Sequence, residues 1–262
     1  MLRVQLFGRP RLLLDEIALS GGGRPKVVPL LAYLLLHRGT ALPRQTIANA
    51  LWPDEPENEA RANLRRHLNY LQHLLPQAAE GRPWLLASGG TLQWNPSSDV
   101  WIDVEEFDAL SALPHRRRDA MALYAGELLA GVEAEWIEAD RERRRARYQE
   151  TLAAYIATLR AAREFAPAIA AAQRLLADDP WREDTLRALV LSRYELGDRA
   201  GAIAEYERFA QKLRHELGAN PMAETIAVYA VIMRDHGSRE AAQDAAPPAT
   251  DSPPPIMPFC GW

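Results

Sequence analysis

The sequence predicts an α+β winged helix-turn-helix followed by an all-α helical-repeat domain. Three observations carry that prediction. Short runs of alternating apolar residues open the chain, and a basic amphipathic helix with a glycine-centred hairpin follows within the first hundred residues. The second half then keeps helical periodicity and repeats itself at a fixed interval.

Leu2, Val4 and Leu6 alternate, the chain breaks at Gly8-Arg9-Pro10, and alternation resumes through Leu12, Leu14, Ile17 and Leu19. A period of two reads as short strands, expected to end at Gly21-Gly22-Gly23. Pro29 to Gly39 (PLLAYLLLHRG) reads as the first helix, with Gly39 as its C-terminal cap. Leu42 to Trp52 reads as the second, with Pro43 in the first turn and an apolar face of Ile47, Leu51 and Trp52. An acidic loop then leads to a third helix over about residues 58–75. Trp84 to Pro96 reads as two short strands around Ser88-Gly89-Gly90, a turn in which glycine takes positive φ.

The third helix carries most of the functional information. Ala60, Leu64, Leu68, Leu71 and Leu75 fall on one side at helical spacing. The opposite side carries Ala62, Arg65, Arg66, Asn69 and His73, with Arg61 and Tyr70 at its edges. Arginine and asparagine are the side chains suited to bidentate reading of guanine and adenine edges in a major groove. Ala62, Arg65, Arg66, Asn69 and His73 are therefore the base-readout candidates. Arg61, Asn63, Arg44 and Tyr70 are placed for phosphates, with Arg24 and Lys26 as further phosphate candidates. The wing tip, Ser88 to Thr91, has no arginine, so its expected contribution is small. The competing reading is a solvated helix face, since charge patterning alone is a weak signal.

A sheet placed before a winged helix is the arrangement of OmpR-type DNA-binding domains. The runs GRPKVVPLLAYLLLHRG, ALW, EARANLRRHLNYLQHLL and WLLASGGTLQWNPSSDVWIDVEEFDAL resemble the N-terminal domain of the SARP-type transcriptional activators. YAGELLAGVEAEWIEADRERRRARYQETL and HELGANPMAETIAVY resemble the bacterial transcriptional activation domain that accompanies it. The resemblance spans roughly residues 1–235 in consistent order. Pro29 departs from it, standing where the family usually continues a basic, alanine-rich first turn. The resemblance implies binding of double-stranded promoter DNA at direct repeats and recruitment of RNA polymerase holoenzyme. The helical domain would then aid a homo-oligomer on DNA or the polymerase contact. The alternative is a protein-interaction adaptor whose winged helix does not read DNA.

Charge is distributed as this implies. Residues 1–98 hold eleven Lys and Arg against seven Asp and Glu, whereas the remainder holds 20 against 28, within a chain of net charge −4. No apolar run is long enough for a transmembrane helix, and the first residues show no signal-peptide pattern. The single cysteine, Cys260, forms no internal disulfide, which fits a cytoplasmic protein without membrane partners.

In the second half, Phe165 to Leu176 aligns with Arg199 to Ala210, so that Ala168 meets Ala202, Ile169 meets Ile203 and Arg174 meets Arg208 thirty-four residues later. That is the tetratricopeptide period, and it predicts about three helix pairs between Pro114 and Arg234; an ordinary helical bundle is the alternative. The basic run Glu142 to Gln149 reads better as a solvated face beside Glu138, Asp140 and Glu142 than as a binding patch, and Trp136 and Trp181 read as packing residues. The expected organisation is a winged-helix domain over 1–98, a linker over 99–113, a helical domain over 114–235 and a disordered Pro-rich tail over 236–262.

Motifs for catalysis are missing. There is no GxxxxGK[ST], CxxC or HExxH; His67 and His73 are not at i, i+4 spacing, and the paired acids sit in predicted loops or caps. Neither an enzyme nor a cofactor or metal is expected.

Overall fold

The computed structural model describes residues 1–19, 24–77 and 82–244, which form two compact units meeting between Tyr155 and Ile156. The expected Gly21-Gly22-Gly23 strand end, and the tail beyond Asp244 with Cys260, lie outside the described residues.

The first unit opens with β1 (Leu2–Gln5), β2 (Arg11–Leu14) and β3 (Ile17–Leu19), paired antiparallel in sequence order. Leu2, Val4 and Leu12 turn to the core, as the alternation requires. The β2–β3 turn is Asp15-Glu16, both at positive φ, and each side chain pairs with β1: Asp15 with the Met1 ammonium at 2.7 Å, Glu16 with Arg3 at 2.8 Å.

Helices α1 (Val27–Leu36), α2 (Arg44–Leu51) and α3 (Glu57–Leu74) follow, then the wing, β5 (Leu85–Ser88) and β6 (Thr91–Trp94). Two expected boundaries are corrected. The first helix ends at Leu36 with His37 in the cap position, because His37 Nδ1 folds back to within 2.8 Å of the Tyr33 carbonyl oxygen; Gly39 lies beyond it. Leu42 and Pro43 are a two-residue strand, β4, paired with β6 rather than the first turn of α2. Proline's missing N–H is tolerated in so short an outer strand. The wing is thus a three-stranded sheet in the order β4-β6-β5. Gly89 and Gly90 turn its hairpin at φ +56 and +82, values that fit a tight two-residue turn.

The expected linker over 99–113 is instead structured. β7 (Val100–Ile102) pairs parallel with β1, giving the order β3-β2-β1-β7, and α4 (Asp103–Ser111) buries Val104, Phe107 and Leu110. Asp103, only 3% exposed, accepts the backbone N–H of Leu6 at 2.8 and 2.9 Å and that of Phe7 at 3.0 Å. The acids around Val104 look like linker composition, yet one of them closes the end of β1. Burial holds its carboxyl above the usual carboxylate range, and the backbone N–H donors oppose that rise.

A 3-10 turn (Pro114–Arg116) and α5 (Arg117–Leu123) come next. The following loop runs back along the chain's first strand region: Phe7 bridges to Leu128, Leu129 N–H donates to Leu6 O at 2.7 Å, and Gly8 exchanges bonds with Glu127 and Ala130. Gly8 and Gly126 allow the approach, since a Cβ on Gly126 would sit 3.5 Å from the Gly8 Cα. Arg141 locks the loop by donating to the carbonyls of Leu128, Leu129 and Val132 at 2.7–3.0 Å. Arg141 belongs to α6 (Glu135–Ala161), the helix within which the first unit ends. The compact division therefore falls at 155, well past the expected ends at 98 and 113.

The second unit contains the rest of α6 and then α7 (Phe165–Asp178), α8 (Glu183–Glu195), α9 (Arg199–Leu217) and α10 (Ala223–Asp244). Ala168 and Ala202, thirty-four positions apart, are both fully buried, as close helix approach at equivalent repeat positions demands. The α9 start is capped by Asp198, which accepts from Gly201 N–H at 2.9 Å, and its end by Gly218 at φ +63. Leu186, Val190, Phe209, Leu213 and Ile232 form the core, with Trp181 packed against it. Glu183, largely buried, accepts Met222 N–H at 2.8 Å and Thr225 Oγ1–H at 2.5 Å, tying α10 to α8. α10 runs to Asp244, past the expected domain end at 235. Among the described residues, α5 packs with α4 in the first unit.

Candidate nucleic-acid interface

α3 starts after Pro56 with Glu57 and Glu59 in its first turn, acids that suit the positive end of the helix dipole. In the preceding loop Glu55 shares a hydrogen bond with Glu59, and that bond, with the burial and repulsion around it, holds the Glu55 carboxyl above its ordinary range. Ala60, Leu64, Leu68 and Leu71 are buried, and Leu75 caps the helix with its side chain also inside. α3 packs against α1 and α2, so these leucines anchor it.

The other side faces outward. Arg61, Arg65, Arg66, Asn69 and His73 are exposed; Ala62, Asn63 and Tyr70 are half-buried. Among the described residues neither Arg65 nor Arg66 has an ion-pair or hydrogen-bond partner. Two guanidiniums and an amide thus stand free on one rigid face. His73 is turned back along the helix, its Nδ1 2.7 Å from the Asn69 carbonyl oxygen. Asn63 likewise offers its carbonyl to His67 Nδ1 at 2.8 Å.

One cleft of about 540 Å³ is surrounded by Pro43 of β4, Arg44 and Gln45 at the start of α2, Arg61 and Arg65 on α3, and Gly90 at the wing tip. Arg44 N–H donates to Gly90 O at 3.1 Å, so the wing tip is fixed to the start of α2. Three of the expected phosphate and base candidates, Arg44, Arg61 and Arg65, therefore meet in one place. Arg24 reaches α3 by another route, its guanidinium 3.6 Å over the Tyr70 ring. Tyr70 in turn packs edge-on to His67, and His67 against Trp52. Lys26 stands apart, half-buried at the cap position of α1. Gln45 and Gly90 were not among the sequence candidates. A polar residue one turn before Asn49 gave no signal, and the role of Gly90 depends on the β4–β6 pairing.

The basic run on α6 is occupied by acids. Arg143 and Arg144 pair with Asp140, and Arg144 and Arg147 pair with Asp108 of α4. Trp136 packs edge-on against Tyr33 at 5.0 Å. Among the described residues no group of three potential metal ligands occurs, and no helix is long and apolar enough to cross a membrane.

Comparison with known proteins adds the following. Residues 105–233 match the family described as bacterial transcriptional activator domain. The regulatory protein AfsR of Streptomyces coelicolor is 28% identical over 228 residues, covering 84% of this chain and 23% of that protein. AfsR of Streptomyces griseus is 27% identical over 239 residues, covering 88% and 24%. The chain thus spans about a quarter of the length of the curated relatives it matches. Among solved structures, Mycobacterium tuberculosis EmbR, in complex with a low-affinity phosphopeptide, superposes with a TM-score of 0.69 at 22% identity. That likeness covers 93% of this chain and 69% of EmbR, and it concerns the fold.

Proposed function

We propose that this member of the SARP-type transcriptional activators reads promoter DNA with α3 lying in the major groove. Arg65, Arg66 and Asn69 take base edges, with Ala62 permitting close approach and His73 at the far end of the contact. Arg44 and Arg61, lining one cleft with the wing tip, take phosphates; Asn63, Tyr70, Arg24 and Lys26 add to that backbone set. The binding sites are direct repeats near a promoter. The helical domain contacts RNA polymerase holoenzyme or a second copy, and the protein works in the cytoplasm. No cofactor enters the mechanism.

The observation that carries this reading is the free state of Arg65 and Arg66 on a helix whose reverse face is anchored by four buried residues. On α6, by contrast, Arg143, Arg144 and Arg147 are paired with acids.

The test is enrichment of fragmented DNA from the source organism by the purified chain at about 0.15 M salt, where the screening length is about 8 Å. An Arg65/Arg66/Asn69 triple-alanine variant runs alongside. A short repeated motif recovered by the wild type alone is the expected result; equal recovery by both proteins, or none by either, refutes the assignment.

A further inference from the structure

Arg61 is held by a chain of side chains that reaches back into α2. Gln45 Nε2–H donates to Asn49 Oδ1 at 2.6 Å, which fixes the orientation of the Gln45 amide. Its carbonyl oxygen Oε1 is thereby turned to Arg61 and accepts the Nε–H of that guanidinium. The reverse amide orientation would set an NH₂ against an N–H. On the other side Arg61 Nη2 lies 3.0 Å from Glu57 Oε1, one turn earlier on α3. All four residues are exposed or at the surface, so none of these bonds serves burial.

We propose that Gln45 is a positioning residue for Arg61, setting its guanidinium in the wall of the Arg44–Arg65 cleft before a phosphate arrives; this rests on the DNA-binding reading above. An unheld arginine carries large rotamer freedom that binding must remove. Fixing Nε leaves Nη1 as a donor for an incoming phosphate oxygen, with Nη2 joining it in the fork geometry that suits that anion once the exposed Glu57 pair gives way. Glu57 is the weaker restraint: an exposed i, i+4 pair is worth little and is screened by salt. Gln45 carries no charge and does not compete with the phosphate for Arg61.

Two variants of the full chain test this. Gln45→Ala removes the acceptor; Gln45→Glu keeps an acceptor for Arg61 Nε–H and adds a negative charge beside the cleft. Slow exchange of the Arg61 Nε–H, followed by ¹⁵N NMR without DNA, is expected in the wild type and Gln45→Glu and is expected to be lost in Gln45→Ala. Gln45→Ala should weaken operator and random DNA by the same factor, about fivefold, as loss of one ordinary hydrogen bond implies. The salt slope should fall by up to about 0.9, one phosphate's share. In an Arg61→Ala background the Gln45→Ala change should have no further effect. Unchanged Nε–H exchange, additive losses in the double variant, or a loss confined to one base position overturns the proposal. Absence of DNA binding by the wild type sinks the proposed function, and the exchange measurement still reports separately whether Gln45 holds Arg61.

Discussion

Removing the Asp103 carboxylate strikes the join between the first strand and the helices behind it. Its two oxygens serve two backbone donors, Leu6 N–H and Phe7 N–H, in a site 3% exposed. Asp103→Ala leaves both donors buried without a partner. At about 1–3 kcal/mol for each orphaned group, the expected loss is about 2–6 kcal/mol, a large share of a typical domain's stability. Asp103→Asn keeps one acceptor but turns an NH₂ toward the same donors, so about 1–3 kcal/mol is expected. The pH dependence has a definite sign. Burial raises the folded carboxyl above its unfolded value near 3.9, so the unfolded chain releases its proton first as pH rises. The stability attributable to Asp103 is then greatest below that value and declines as pH climbs through the folded pKa. Asparagine does not titrate, so the wild type's advantage over Asp103→Asn should shrink from pH 4 upward. Urea unfolding followed by tryptophan fluorescence reads this unit, since Trp52, Trp84, Trp94, Trp101 and Trp136 all lie in it. An advantage that widens with pH would show that the two N–H donors outweigh burial. An Asp103→Ala chain as stable as the wild type would refute the accounting of buried donors altogether.

Other outcomes follow from the same geometry. Arg66→Ala should cost about 1–3 kcal/mol on the specific site and relax one base position, read by binding to a panel of single-base operator variants. Arg61→Ala should instead weaken binding on all sequences and lower the salt slope by roughly one unit, read by titration at several salt concentrations. Thr225→Val removes the hydroxyl that donates to Glu183 and accepts from Arg187 at 2.9 Å; calorimetry should show a loss of about 1–3 kcal/mol in the helical unit. Asp198 is held below its ordinary pKa by the Gly201 N–H and then by Arg193, so its contribution is present above about pH 3.9 and lost as pH falls through the folded value. Far-UV circular dichroism melts of wild type and Asp198→Ala should therefore converge on acidification, and parallel melts at every pH would contradict the cap.

The elements that pattern alone could place are those with a strong period. The α3 leucines, the β1–β2 alternation and the buried Ala168 and Ala202 all stand where spacing puts them. What spacing missed was tertiary. Nothing local in Val100–Ile102 says that it pairs with a strand ninety-eight residues earlier, so an ordered strand looked like a linker. Leu42 and Pro43 have a helix-start sequence, and only the β6 edge draws them into a sheet. For the interface, the outward residues of α3 were legible because one helix carries them. The cleft was not, because it needs Gln45 and Gly90 brought in from two other elements.

The parallel β1–β7 pairing, and the return of residues 127–130 to the end of β1, also set a schedule for synthesis. Strand β1 is made about 98 residues before β7, the partner that covers its second edge. At about 5–20 residues per second, nascent β1 waits roughly 5–20 s with one edge open. Its neighbour β2 can pair early, because that hairpin is local, whereas the β7 side has no such option. The exposed edge of Leu2–Gln5 is thus a time-limited hazard on the ribosome. Slow codons before Val100 would lengthen it, and a chaperone that shields extended segments would find its substrate there.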